Sequence, residues 1–410
     1  MIEYDHFGGV LLDWRKNLWV MAFGVMLSGS SYTMVIPFLP LYLLELGVSP
    51  DHVNMWSGIV FSATFFIAAL LAPYWGRCAD RTGRRRMVLR AGFSLAIVYF
   101  LGAWVRTPAE LLGVRILMGF ANGFVPASMA IVTASVPEEK MGYSLGIMQT
   151  ALLLGGILGP LAGGVLSHVF GMRLSFVIAA FAIFSATLAV WFLVKEPPRP
   201  QEICQASMLE DFKMAIGNRP LVSMLFLLFL VQVCTMMLQP LITLYIAELQ
   251  GQTQGAGLTA GIVYSLAGIA GAIAAPFWGR KGQERGFHNI LVIAFLGAGM
   301  FITGQYLVSD IYEFSVLQFL FGLFIVGVFP AINTIAVSSS ETGFQGRIFG
   351  LTTTANQFGS MMGPLLGGMI SSWLGIRSVY LVTGSLLFTI GLVVCINSLQ
   401  QKLVSRNANS

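Results

Sequence analysis

Charge is what this chain is short of. Only 10% of its 410 residues are Asp, Glu, Lys or Arg, where a soluble domain carries about 25%. Apolar residues make up 56%, and the mean hydropathy is +0.79. So few charges cannot dress a water-facing surface, so lipid must cover most of the exterior, and the net charge of +5 is no nucleic-acid signal. Cysteine is scarce too. Cys78 and Cys204 are expected in cytoplasmic loops, Cys234 and Cys395 inside apolar runs, and none in an external loop where a disulfide would persist. Their spacing matches no metal site. No phosphate-cradling loop and no nucleophile–base pair appears. An ATP-driven pump and an enzyme are therefore not expected, nor is a cofactor.

What the chain does have is long apolar runs. A lipid-spanning helix needs roughly 20 such residues, and twelve runs qualify: about 18–43, 54–75, 87–105, 110–135, 142–167, 173–194, 220–246, 258–279, 289–308, 313–337, 347–372 and 377–397. They are continuous and do not alternate, which predicts helices and not barrel strands. The first lacks a basic leader and reads as a retained span, not a signal peptide. Lys and Arg divide nineteen to three between the two sets of loops, with Arg90 counted in the loop before run 3, which leaves Arg115 as the one cation inside a run. By the positive-inside rule both termini are cytoplasmic, in a multi-pass protein of the cytoplasmic (inner) membrane.

The chain also repeats itself. LGPLAGGVLSHVFGMRLSF from Leu158 recurs as MGPLLGGMISSWLGIRSVY from Met362, an offset of 204. APYWGR from Ala72 recurs as APFWGR from Ala275, an offset of 203. Pro37, Tyr42 and Glu45 match Pro240, Tyr245 and Glu248 at 203. Six runs per copy is an even number, so both copies enter the membrane in the same direction and form parallel repeats, with a substrate site between them near the midplane. The expected organisation is an all-α membrane protein: a six-helix bundle over 1–194, a cytoplasmic linker over 195–220, and a second bundle over 221–410. Within the linker, Met208, Leu209, Phe212 and Ile216 fit a short amphipathic surface helix.

Three features stand out against this frame. Between runs 2 and 3, GRCADRTGRRR sets Gly76, Asp80, Arg81 and Gly83 before Arg84, Arg85 and Arg86. Its second copy, GRKGQERG from Gly279, places Gln283 and Glu284 where Asp80 and Arg81 stand. In run 5, Gly155, Gly159 and Gly163 recur every fourth residue, beside Pro160 and Gly164. That stripe permits close backbone approach and a bend; plain packing and a specific role against leak explain it equally well. Arg115 in run 4 would cost about 2.5–3.5 kcal/mol at a helix centre even on a lenient scale, unless it snorkels to the external interface.

These motifs resemble the major facilitator superfamily and, within it, the twelve-helix drug:proton antiporters, especially bacterial multidrug exporters. The resemblance covers nearly the whole chain. It implies that Gly76, Asp80, Arg81, Gly83 and Arg84 form a conformational latch, and that Gly155 to Gly164 is an antiporter motif. It also implies that Arg115 faces the cavity and couples protons, with Asp80 and Glu45 as further proton-coupling candidates. Runs 1, 4, 7 and 10 then line the cavity, with Tyr32, Asn122, Phe124, Gln232, Gln239 and Asn333 as candidates, joined by Gln149, Asn356 and Gln357 from runs 5 and 11. Each of these could equally serve as interhelical glue. The expected function is proton-coupled export of a lipophilic small-molecule substrate by a monomer in the lipid bilayer. Export of an endogenous metabolite, sugar or lipid is the alternative, and a non-transporting receptor or scaffold a more distant one. No metal and no nucleic acid is expected.

Overall fold

In lipid every backbone polar group must be hydrogen-bonded within the protein, and a helix does this inside one segment, so continuous apolar runs fold as helices. The computed structural model describes residues 14–195, 217–338 and 345–408. The proposed amphipathic linker helix lies outside the described residues. In chain order the helices are α1 (Trp14–Met34 and Leu39–Glu45), α2 (Pro50–Thr82), α3 (Arg84–Gly102), α4 (Pro108–Ala121 and Phe124–Ser135), α5 (Met141–Phe170) and α6 (Met172–Leu193). The second copy comprises α7 (Arg219–Leu238 and Ile242–Gln250), α8 (Ala256–Arg285), α9 (Phe287–Gly304), α10 (Ile311–Ile325 and Val328–Ser338), α11 (Gln345–Leu374) and α12 (Ile376–Ala408). The twelve runs are thus twelve helical units in two parallel repeats.

Ten of these units are long and apolar enough to cross a membrane when the bent α1 counts as one; α3 and α11 are not among them. Both exceptions have a physical reason. The first turns of α3 carry Arg84, Arg85, Arg86 and Arg90, and α11 opens its middle with Thr352, Thr353, Thr354, Asn356 and Gln357.

Four units are broken, and they are α1, α4, α7 and α10, the same member of each three-helix group. The two pieces of α1 meet at 45°. The break in α4 passes through Gly123, whose φ of +122° suits glycine alone. Discontinuous helices of this kind mark the binding sites of transporter folds. Hydropathy is blind to such breaks, so each of these four was expected as one continuous run.

A second difference concerns the stretch between runs 2 and 3. It is not a loop: α2 continues as helix to Thr82, carrying Cys78 within it, and only Gly83, at φ +109°, turns the chain into α3. Charged side chains end an apolar run without ending a helix.

Within the first repeat α1 packs on α5 and α6, α3 on α6, and α2 on α4; α7 with α11, α9 with α12, and α8 with α10 repeat the pattern. The repeats meet along two seams, α2 against α11 and α5 against α8, with a smaller contact between the second pieces of α1 and α7. Asn17 in α1 donates to the Lys195 carbonyl after α6 at 2.9 Å. That places the start and end of the first repeat on one face, here called the terminal face, opposite a distal face.

Candidate translocation site between the repeats

The seams are built from glycine. Gly155, Gly159 and Gly163 press into α1, where a methyl on Gly155 would lie 2.6 Å from the Met26 carbonyl oxygen. Gly359, Gly363 and Gly367 press into α7 in the same way, a methyl on Gly363 falling 2.7 Å from the Val233 carbonyl. The neighbouring residues of each motif reach across to the other repeat. A methyl on Gly164 would meet the Gly257 carbonyl at 2.9 Å, and one on Gly261 would overlap the Pro160 carbonyl. On the other seam, a methyl on Gly368 would meet the Asn54 carbonyl at 2.8 Å, and one on Gly58 would overlap the Pro364 carbonyl. Ser265 adds a hydrogen bond across the α5–α8 seam, donating to the Ile157 carbonyl at 2.7 Å. The glycine stripe is therefore close packing on two sides at once, within a repeat and between repeats.

Each seam is closed at one end only. Gly58, Gly164, Gly261 and Gly368 all lie in the distal halves of their helices. Eighteen residues away toward the terminal face stand Gly76, Gly146, Gly279 and Gly350. Eighteen residues are five helical turns, so each pair shares a helix face at a separation of about 27 Å. A methyl on any of these four terminal-side glycines would meet nothing within 4 Å. The two repeats touch distally and part toward the terminal face.

Arg115 lies buried inside the first repeat, where α4 packs on α2. Its side chain is 2% exposed, so it does not snorkel. Its guanidinium carbon is 5.3 Å from the Phe61 ring centroid, and Nη1 reaches only the Met118 sulfur, at 3.8 Å. Nε and Nη2 are buried without a hydrogen-bond partner. Among the described residues no carboxylate pairs with it. Its counterpart Gln318 is buried as well, but accepts a hydrogen bond from Gln305 at 2.9 Å.

The remaining candidates scatter around this centre. Tyr32 stands edge-on to Phe65, centroids 6.1 Å apart. Asn122 is exposed at the break of α4, where its side chain accepts from the Gly123 amide at 2.7 Å. Gln149 is exposed on α5. Gln232 ties α7 to α11 by donating to Ser360 at 2.9 Å, so here the glue reading applies. Gln239 sits at the break of α7, its Oε1 buried and unpartnered, while its carbonyl accepts from the Tyr264 hydroxyl. Asn356 likewise has a buried, unpartnered Oδ1, and Asn333 and Gln357 are half-buried. Phe124 is 1% exposed and packs over Gly24 inside the first repeat, not on a cavity wall. Glu45 is exposed at the distal end of α1, on a cavity of about 360 Å³ shared with His168 and Gln254.

At the terminal face Arg84 donates to the Ala130 carbonyl at 2.7 Å, and Arg85 to that of Trp191, so these arginines tie α3 to α4 and α6. The Asp80 side chain lies outside the described residues. Arg90, a loop charge by the sequence, lies within α3. It donates to the carbonyls of Phe120 and Asn122 at 2.8 and 2.9 Å, at the break of α4. Its signal was present: a cation one turn beyond the arginine cluster, too deep to belong to a turn.

Comparison with known proteins agrees with this architecture. The Major Facilitator Superfamily model matches residues 21–360 and 286–403. Multidrug resistance protein MdtG of Proteus mirabilis is 35% identical over 380 residues, covering 92% of this chain and 94% of its own. MdtG of Salmonella arizonae is 35% identical over 396 residues, covering 96% and 98%. Among solved structures, the nucleoside transporter NupG superposes with a TM-score of 0.78 at 14% identity, over 94% of this chain and 99% of its own. A bacterial homologue of the human lysosomal transporter Spinster, inward-facing and unoccupied, gives 0.77 at 16% identity, over 93% and 96%. At those identities the structural likeness speaks to the fold alone. With the sequence match spanning nearly the full length, the chain belongs to the major facilitator superfamily and is a multi-pass membrane transporter.

Proposed function

We propose that this transporter exports lipophilic, drug-like molecules in exchange for protons, by alternating access. The observation that carries the reading is the one-sided seam: four glycine faces that close distally and open at the terminal face, built on pseudo-symmetric helices that can exchange those roles. The positive-inside rule makes the terminal face cytoplasmic, so the cavity opens to the compartment from which an exporter loads. The relatives named for multidrug resistance support the substrate class. So does an apolar setting in which Met236 is half-buried and adaptable; Met34 and Met237 lie buried in the helix seams.

In this reading Arg115 is the principal coupling residue. A buried cation without a carboxylate changes its balance when a proton, a substrate or a conformational change alters its surroundings, and intramembrane charges of this kind mark ion pathways. Asp80 at the cytoplasmic end and Glu45 at the external end stand where protons would leave and enter. The Asp80 motif, present in the first repeat and replaced by Gln283 and Glu284 in the second, latches one state. Glu284 instead pairs with Lys281 on its own helix, at 2.7 Å. The unit of function is a monomer.

Proteoliposomes carrying the protein and an imposed pH gradient, acidic on the side of substrate delivery, test this directly. Each substrate of a lipophilic panel should move against its gradient with a matching proton flux that collapses with an uncoupler. Transport indifferent to the pH gradient would remove proton exchange, and no transport across the panel would remove the substrate class.

A further inference from the structure

We propose that the second repeat carries a binding groove for one anionic phospholipid of the cytoplasmic leaflet, between α7 and α12 near the terminal face. A cavity of about 760 Å³ opens there. Its walls are apolar, among them Leu227, Ile335, Ile390 and Val394, and its polar end carries Arg219 and His288. Among the described residues no acidic side chain lines it.

The repeat makes this groove informative, because the same place in the first repeat is bridged by side chains. There Asn17 at the start of α1 ties it to the chain leaving α6 through the Lys195 carbonyl, at 2.9 Å. Arg85 spans from α3 to the Trp191 carbonyl. Phe124 fills the space above Gly24, its ring 3.3 Å from where a Gly24 methyl would stand. At offsets of 203 and 204 the second repeat has Pro220, His288 and Val328 in these places. Proline has no side-chain donor to make the tie, and histidine is shorter than arginine; Val328 is itself buried, and Leu227 stands in the place of Gly24. The first two substitutions remove side-chain ties at the mouth of the second repeat, and Arg219, at the position of Lys16, keeps a cation at its rim.

A groove with apolar walls and a basic rim at the cytoplasmic side matches a lipid whose chain lies along the walls and whose phosphate meets Arg219. The planar guanidinium presents paired donors to phosphate oxygens, and the cytoplasmic leaflet is the one that holds anionic lipid. A zwitterionic lipid would fill the walls but bring an ammonium group to the same rim.

The test is native mass spectrometry of the full-length protein, equilibrated with phosphatidylglycerol or phosphatidylcholine vesicles of matched chains and released into mild detergent. Phosphatidylglycerol should be retained at one per chain and at least about fivefold over phosphatidylcholine. Removing the cation with Arg219→Gln should cut that preference roughly fivefold, the effect expected of one basic residue at an anionic surface, and His288→Gln should reduce it further. A bulky wall residue, Leu227→Trp, should abolish retention of both lipids. Val393→Trp, at a position 51% exposed and lining the same groove, should do the same if the first variant does not fold. Equal retention of the two lipids, or a preference untouched by both rim variants, would overturn the headgroup assignment. Retention untouched by the wall variants would overturn the groove. Displacement of the lipid by a transported drug would mean that the groove is a substrate path, which also overturns the proposal. None of these readouts depends on transport, so they stand apart from the test of proton-driven export.

Discussion

Arg90 lies over Trp75, its guanidinium carbon 3.6 Å from the ring centroid, and from that position holds the two carbonyls that α4 leaves unsatisfied at its break. In the second repeat Trp278, the counterpart of Trp75, reaches the equivalent break itself: its indole nitrogen donates to the Leu323 carbonyl at 2.6 Å, with Gly327 against its ring. Ile293 stands where Arg90 would be. A helix piece ending inside a membrane exposes carbonyl oxygens at the negative end of its dipole. One repeat answers with a cation stacked on tryptophan and the other with tryptophan alone.

Arg90→Ala should therefore destabilise the first repeat by about 1–3 kcal/mol, the range for losing hydrogen bonds from a charged donor. Arg90→Lys should recover less than half of this, because an ammonium cannot span two carbonyls while lying flat on the indole. Thermal unfolding in detergent measures both, and a full rescue by lysine would show that charge alone is needed at the break.

The eighteen-residue glycine pairs predict a pattern of crosslinks. In a background with the native cysteines replaced by serine, Gly146→Cys with Gly279→Cys should crosslink across the α5–α8 seam only when the terminal side closes. Gly76→Cys with Gly350→Cys should behave likewise across α2–α11. Substrate turnover should raise the yield, and the crosslink should stop transport. Equally fast crosslinking in every condition would contradict the opening toward the terminal face.

Filling the closed end should have the opposite effect. Gly261→Val sets a branched side chain against the Pro160 carbonyl, and overpacking of this kind costs about 1–3 kcal/mol, paid by the distally closed state alone. A cysteine at Ser167, which lines the distal cavity, should then react faster with an impermeant thiol reagent added outside. Unchanged labelling would mean that the seam does not control access.

Arg115 separates stability from function. Replacing an uncompensated buried cation with a similar-sized apolar side chain, Arg115→Met, should raise stability by about 1–4 kcal/mol, as for other buried charges exchanged for apolar groups. Transport in exchange for protons should fall at least tenfold in the same variant. A loss of stability together with transport would identify Arg115 as a structural residue.

Much of this could be read from the sequence, and the limits of that reading are physical. The apolar runs located twelve helices because the membrane imposes one length and one chemistry on each. The offset of 203–204 placed glycines and prolines in equivalent positions, and those positions became the seams. The breaks in α1, α4, α7 and α10 were missed although Pro37, Gly123, Pro240 and Gly327 stand in them, since hydropathy carries no information about backbone dihedrals. The extent of α2 to Thr82 was missed because water-facing charged residues are good helix formers. Phe124 was expected on the cavity wall and lies in a core, because a residue's place along a helix does not say which neighbour its ring will meet.

By itself the sequence determined the solvent, the helical class and the doubling of the fold, since all three follow from composition and period along the chain. Tertiary structure decided which end of each glycine face meets the opposite repeat, that Arg115 has no carboxylate among its described neighbours, and that Arg90 caps a broken helix. Those properties depend on distances of a few ångströms between segments that lie tens to hundreds of residues apart, and no local pattern of residues encodes such a distance.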